Sequence, residues 1–247
     1  MRIAHSVSFF RHTASHYEHP NCGESQGKFF ANYIPTLLAA HEIAFPGWDL
    51  VVHHDDAVRE LPAFATLERY LSRGWLKLVP MGKAETLCGS MLWRMSAMKS
   101  HDYVVCRDID SLPCERDFAM VSDFIRSGLD VHAILDSESH SGPLMGGMTA
   151  YRSAAVWPIW QTLGVDQRLD MNQHGADQIR LNRELWPHFK SRTMIHQTRI
   201  DVMCPEAQTS APTRLAQTPL DKVVRHIGGA YDVEKAWAAI AMYWRGA

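Results

Sequence analysis

The chain has 247 residues, 46% of them apolar and 21% charged, with a formal net charge of −2. That balance suits one globular domain over residues 1–247 with a full core, and gives no general attraction to nucleic acid or an anionic membrane. No apolar run is long enough for a membrane span, and the first ten residues are too polar for a signal peptide.

Residues 2–10 read as an opening strand. Residues 11–27, polar and holding Pro20, Gly23 and Gly27, read as a long loop. Phe29, Tyr33, Leu37, Ala40 and Ala44 recur at helical spacing, so residues 28–44 form a helix that Pro46-Gly47 stops. A strand is expected at 48–53, with His53, His54, Asp55 and Asp56 at its end as a solvated loop. A helix follows at 60–72, a strand at 75–79 and a helix at 85–99. The apolar run 103–106 is a buried strand leading into Asp108 and Asp110. Then come a helix at 115–127, a strand at 130–135, a glycine-containing loop at 136–147 and a short strand at 148–151. Residues 153–163 are helical, with Pro158 as a kink or a late start. A helix at 175–186 and a strand at 193–196 follow. Residues 203–221, with three prolines, read as a loop or lid. Asp232 caps a last helix whose Trp237, Ile240, Ala241 and Trp244 share a face expected to be buried. Strands alternating with helices argue for an α/β fold with a mostly parallel sheet.

Five cysteines, Cys22, Cys88, Cys106, Cys114 and Cys204, form no Cys-x-x-Cys pair, which fits reduced thiols and a cytoplasmic protein.

The carboxylates of Asp108 and Asp110 carry the functional reading. A buried strand cannot hold two unpartnered carboxylates, so they belong at its C-terminal end, where ligands bind in open α/β sheets. Two closely spaced hard oxygen donors suit Mg²⁺ or Mn²⁺ shared with a substrate phosphate. The plainer alternative is a pair that caps the next helix.

Four signals follow in one order: Asp108-Ile-Asp110, Leu144-Met-Gly-Gly-Met148, Asp177-Gln178 with Leu181-Asn182, and His226-Ile-Gly-Gly229. This order resembles the GT-A nucleotide-sugar glycosyltransferases, especially retaining ones of the glycogenin and bacterial galactosyltransferase type. It also resembles bacterial and phage glycosyltransferase domains with an Arg-Asp-x-Asp-Ser loop. The resemblance implies a Rossmann-like, mixed and mostly parallel sheet flanked by helices. It implies a nucleotide-sugar donor, in the first place a UDP-sugar, and a Mn²⁺ or Mg²⁺ held by Asp108, Asp110 and His226. Arg94, Arg107, Asp108, Asp136, Gly146, Gly147 and Gly229 would bind the donor's sugar and phosphates. Ser6, Ser8 and Asp56 would lie near its base and ribose. Asp177 would bind sugar hydroxyls, and Gln178 would stabilise an oxocarbenium-like centre with retention of configuration. The lysine that commonly follows the His-x-x-Gly segment is missing, since Ala230 stands there, so Arg94 or Arg107 would have to replace its charge. Taken alone, Arg94 could equally be a surface residue of an amphipathic helix.

The acceptor is open among a glycan, a lipid-linked saccharide, a protein and a modified nucleic-acid base. Two other classes compete. A haloacid-dehalogenase-type phosphohydrolase also places a DxD after a strand, but needs a later acidic pair that is not found after Asp110. A non-catalytic nucleotide-sugar-binding module would not need to keep a metal site.

Overall fold

The structure is a computed structural model that describes residues 1–11, 32–137, 140, 142–163, 175–197, 204–210, 218–224 and 226–246. The expected loop 11–27 and the first turns of the expected helix 28–44 therefore fall almost wholly outside the described residues.

The strands are β1 (Ile3–Phe9), β2 (Asp49–His54), β3 (Leu76–Pro80), β4 (Tyr103–Arg107), β5 (Val131–Leu135), β6 (Met148–Arg152), β7 (Thr193–Gln197) and β8 (Gln208–Ser210). They make one sheet in the order β3-β2-β1-β4-β6-β5-β7-β8. β6 runs antiparallel to both of its neighbours, and every other pairing is parallel. This is the mixed, mostly parallel sheet expected from the sequence. It has a direct consequence for the site. The C-terminal ends of β1, β2, β4 and β5 share one edge with the start of β6. The pairing of Arg107 with Met148 sets Gly146-Gly147 beside Asp108.

β1 is central, and all seven of its residues are buried, polar His5, Ser6 and Ser8 included. Buried polar groups need partners, and these residues find them in the covering helices. α1 (Ile34–Ala44) and α2 (Pro62–Ser72) each begin with a proline in the first turn, where the missing N–H costs nothing. α3 (Leu87–Leu92) is capped by Thr86, whose Oγ1 accepts from Gly89 N at 3.1 Å. It tightens into a 3₁₀ segment over Trp93–Lys99, so the expected helix 85–99 is not one continuous α-helix. Ser96 Oγ donates to the carbonyl of Trp93, three residues back, the spacing of the tighter coil.

α4 (Glu115–Ser127) has the expected bounds and ends on Gly128 in a left-handed conformation, φ 69°. α5 (Ser153–Leu163) continues across Pro158. The expected helix 175–186 is instead three pieces: α6 (Ala176–Arg180), a π-helical turn (Leu181–Leu185) and α7 (Trp186–Phe189). The stretch read as a loop at 203–221 contains β8 and most of α8 (Pro219–Val223), whose Thr218 and Asp221 form a reciprocal capping box. Residues 211–217 within it lie outside the described residues.

α9 (Val233–Gly246) starts at Asp232 as expected; its carboxylate accepts from Glu234 N at 3.0 Å and Lys235 N at 3.1 Å. Of the face expected to be buried, Ile240 is buried and Ala241 half-buried, but the two tryptophans are not. Ala236, Ala239 and Ile240 face the core, while Trp237 and Trp244 are exposed with ring centroids 6.2 Å apart. Among the described residues no helix is long and apolar enough to cross a membrane. Cys88, Cys106, Cys114 and Cys204 are buried thiols, and Cys22 lies outside the described residues.

Candidate active site

Arg94 is the hub of the edge at the C-terminal ends of the parallel strands. It sits on the 3₁₀ segment before β4, 1% exposed, and is no surface arginine. Its Nη1 donates to Asp108 Oδ1 at 2.5 Å and to the carbonyl of Arg107 at 3.2 Å. Its Nη2 donates to Asp177 Oδ2 at 3.0 Å. One guanidinium therefore joins the end of β4, the loop after it, and the start of α6. Burial works against the Arg94 charge, but Asp108 and Asp177 outweigh it and raise its pKa. Burial pushes the Asp177 carboxyl up, and Arg94 pulls it back down. β1 fixes the backbone of this segment from behind. Ser6 Oγ donates to the Arg94 carbonyl at 2.8 Å, and Arg94 N donates to Ser8 Oγ at 3.3 Å. Ser6 is fully buried. These serines hold Arg94 in place and are not laid out along the crevice.

The glycine loop presses directly on this charge cluster. A Cβ on Gly146 would overlap the Asp177 carboxylate and crowd Arg94, and one on Gly147 would overlap the Asp108 carboxylate. Only a residue without a side chain permits that approach. Upstream in the loop, Leu144 is pinned at both of its backbone groups by Asn182 of the π turn. Leu144 N donates to Asn182 Oδ1 at 3.0 Å, and Asn182 Nδ2 donates to the Leu144 carbonyl at 2.7 Å. Gln178 lies one residue beyond Asp177, half-buried, at the start of α6.

Asp108 and Asp110 do not cap α4, which begins at Cys114 with no side-chain cap. Asp110 is held up to a pKa of about 7, by burial first and by the charge of Asp108 second, while Arg94 lowers it. Neighbouring carboxylates in a half-buried loop are what a divalent cation relieves, and the donors are the hard oxygens that Mg²⁺ or Mn²⁺ prefers. The residues thus fit such an ion in their chemistry. They do not form a complete cage: among the described residues no three His, Cys, Asp or Glu side chains stand together as a ready metal site. Mg²⁺ sites that use one or two carboxylates and complete themselves with substrate phosphates have this incomplete protein set.

The His226 segment docks on the same loop. Ser111 pairs with Ala230 in an antiparallel bridge, and Gly228 N donates to Ser111 Oγ at 3.2 Å. Gly228 has φ +83°, and a side chain there would run into Met148. Gly229 passes over the His226 ring, where a Cβ would lie 2.5 Å from Nε2. The His226 ring meets that of His140 edge-on, at 5.4 Å between centroids. Asp136, at the end of β5, serves this segment: its Oδ2 accepts from Ile227 N at 3.0 Å. Its buried Oδ1 has no hydrogen-bond partner among the described residues, and burial raises its pKa.

Two expectations need correction. Arg107 does not reach the donor side; its Nε and Nη2 grip both oxygens of buried Asp117 at 2.8 and 2.5 Å, and its Nη1 donates to the carbonyls of Cys106 and Thr149. A strand alternates its side chains between faces, so Arg107 points to the α4 side while Asp108, past the strand end, turns to the crevice. The cluster from His53 to Asp56 is not a solvated loop. His53, His54 and Asp55 are buried, and Asp55 accepts from Arg11 N at 3.1 Å and Val58 N at 3.0 Å. Of these four residues it leaves Asp56 exposed. The sequence reading also gave no role to Asn182. Its position four residues after Gln178, on the same helical face, was the available signal.

No protein-family model matches the sequence, and no curated protein matches it. Solved structures do. S. aureus TarS superposes with a TM-score of 0.51 and 15% identity, covering 81% of this chain and 36% of that one. The fold is GT-A-like. A glycosyltransferase involved in glycosylation of the major capsid of PBCV-1 superposes at 0.41, with 13% identity over 80% of this chain and 82% of the other. A cytidylyltransferase from Leptospira borgpetersenii superposes at 0.46, with 11% identity over 99% and 94%. The chain spans 59% of TarS residues 1–349. In this frame Arg94, Asp108, Asp110 and the glycine loop lie at the edge formed by the C-terminal ends of the parallel strands.

Proposed function

We propose that this protein transfers a sugar from a UDP-sugar to an acceptor hydroxyl, assisted by Mn²⁺ or Mg²⁺ at Asp108 and Asp110. The observation that carries the reading is the Arg94 cluster: one buried guanidinium ties Asp108 to Asp177 beneath the side-chain-less Gly146-Gly147. That arrangement lies beside Asp110, whose carboxyl is held up to about 7 by burial first and by the charge of Asp108 second.

A bound cation would offset charge developing on the departing diphosphate. The chain's own residues do the rest. Asp108 and Asp110 would hold the cation, with His226 as the third ligand that the family resemblance implies. Asp177, fixed by Arg94, accepts hydrogen bonds from sugar hydroxyls. Gln178 presents its side-chain oxygen near the anomeric carbon. A carboxamide is a poor nucleophile, so retention would proceed by front-side displacement. The bond from C1 to the phosphate oxygen breaks, the bond from C1 to the acceptor oxygen forms, and the acceptor proton passes to the departing phosphate.

A phosphohydrolase would need Asp108 as a nucleophile. TarS is known in complexes with UDP and with UDP-GlcNAc, so these are the first ligands to try. The test is thermal stabilisation by UDP and by UDP-glucose, UDP-galactose and UDP-GlcNAc, each with and without Mn²⁺, beside hydrolysis of p-nitrophenyl phosphate. Mn²⁺-dependent stabilisation by a UDP-sugar is expected. Phosphate-ester hydrolysis without nucleotide binding would replace the proposal with the phosphohydrolase.

A further inference from the structure

We infer that Asn182 is a positioning residue that sets the height of the sugar-binding floor, an inference that rests on the donor reading above. Asn182 makes three hydrogen bonds with two separate segments. Its Oδ1 accepts from Leu144 N at 3.0 Å, and its Nδ2 donates to the Leu144 carbonyl at 2.7 Å and the Gln178 carbonyl at 2.8 Å. The partners are one N–H and two carbonyls. Only a carboxamide offers one acceptor and two donors in so small a space. An aspartate of the same shape would keep the first bond and turn two attractions into repulsions.

The geometry makes this more than local packing. Leu144 is fully buried, and both of its backbone groups are satisfied as a neighbouring strand would satisfy them, but by a side chain from the π turn. Two residues on, Gly146 lies on Asp177, and Gly147 lies on Asp108. The same amide holds the backbone of Gln178. Asn182 thus fixes the glycine loop and the helix start carrying Asp177 and Gln178 as one body, at one separation. The spacing is tight at its other end too: a Cβ on Gly142 would lie 3.1 Å from Asn182 Nδ2. The π turn begins at Leu181, next to Asn182; widened turns of this kind frequently mark functional sites.

Asn182 holds the Gln178 backbone directly and reaches Asp108 only through the glycine loop, so its loss should fall more on the sugar than on the nucleotide. The experiment measures Kd by calorimetry, with Mn²⁺, for UDP and for the UDP-sugar that the wild type binds best among UDP-glucose, UDP-galactose and UDP-GlcNAc. The variants are Asn182→Ala, Asn182→Asp and the milder Gly142→Ala, and the thermal midpoint of each is recorded. Asn182→Ala should weaken the UDP-sugar about tenfold or more and UDP less than about threefold. Asn182→Asp should be worse than Ala despite its better fit. Gly142→Ala should shift the UDP-sugar in the same direction by a few-fold. Equal losses for both ligands, or unchanged binding of both by folded variants, would overturn the role of Asn182 and leave the donor reading standing. Wild-type protein that binds neither UDP nor any of the sugars would overturn the donor reading itself, and this inference with it.

Discussion

Arg94 and Arg107 stand 13 residues apart, and both are buried guanidinium groups set against carboxylates. They do different things. Arg107 is a closed brace. Its bonds go to Asp117 and to two carbonyls of the sheet, and Asp117 is itself 1% exposed in the first turn of α4. Arg94 is an open hub. It joins three segments, and one of its carboxylates, Asp108, keeps 29% of its side chain in reach of solvent. Burial and ion pairing alone do not separate a structural arginine from a functional one. The distinguishing features are how many independent segments meet at the charge, and whether one partner still faces a crevice.

Removing one partner of a buried pair leaves the other charge desolvated, which costs about 3–5 kcal/mol, whereas replacing both with apolar residues is often near neutral. The largest expected effect is therefore on Arg107→Met, which should lower stability by about 3–5 kcal/mol in urea unfolding. The double change Arg107→Met with Asp117→Leu should recover most of it and bind a UDP-sugar normally. Arg94→Met with Asp177→Leu should likewise recover stability relative to Arg94→Met alone, yet bind UDP-sugars at least about tenfold more weakly. If both double variants bound the donor like wild type, Arg94 would be a second brace and nothing more.

Gly147→Ala sharpens the same contrast more gently. Its Cβ must displace the Asp108 carboxylate. Overpacking of this kind costs about 1–3 kcal/mol, and here the donor Kd should rise as well. Unaltered donor binding in a folded Gly147→Ala protein would separate the glycine loop from the site.

pH gives a further contrast. His41 and His53 are buried with pKa values lowered to about 4, chiefly by burial, from an ordinary 6.5. An unfolded chain binds their protons between those values and the native one does not. Their contribution is present above pH 6.5 and is lost as pH falls toward about 4. Asp110 has the opposite sign: its raised pKa of about 7 makes the fold favour the protonated carboxyl, so that part of stability is lost as pH rises through 7. Metal binding needs the carboxylate form. Mn²⁺ affinity should therefore climb by up to about tenfold per pH unit below 7 and level off above it, as read by calorimetry across that range. A flat profile would remove Asp110 from the metal site.

The frame of the molecule was legible in the sequence because burial patterns are local. The apolar run ending in Asp108-Ile-Asp110 announced a strand edge, and α4 and α5 keep the bounds that periodicity gave them. Polar partners were not legible. Arg107 is committed to Asp117, ten residues on and across a helix turn, and Arg94 to Asp177, 83 residues away. Nothing in composition distinguishes those destinations. The 3₁₀ segment at Trp93–Lys99 and the π turn at Leu181–Leu185 escaped notice for a related reason. The first lies where the Ser6 and Ser8 side chains meet its backbone, and the second sends its Asn182 side chain out to the backbone of Leu144. The exposed Trp237 and Trp244 show the limit of periodicity. Spacing says which residues share a face, and the neighbouring element decides which face is buried.

The most direct test of the account is a titration of wild type and Asp110→Asn with UDP-GlcNAc, UDP-glucose and UDP-galactose, in the presence and absence of Mn²⁺. Donor binding that Mn²⁺ strengthens is expected in the wild type. In Asp110→Asn that Mn²⁺ increment should vanish while the thermal midpoint holds or rises, because a strained carboxyl has been neutralised. Donor binding in Asp110→Asn that still responds to Mn²⁺ as the wild type does would contradict it.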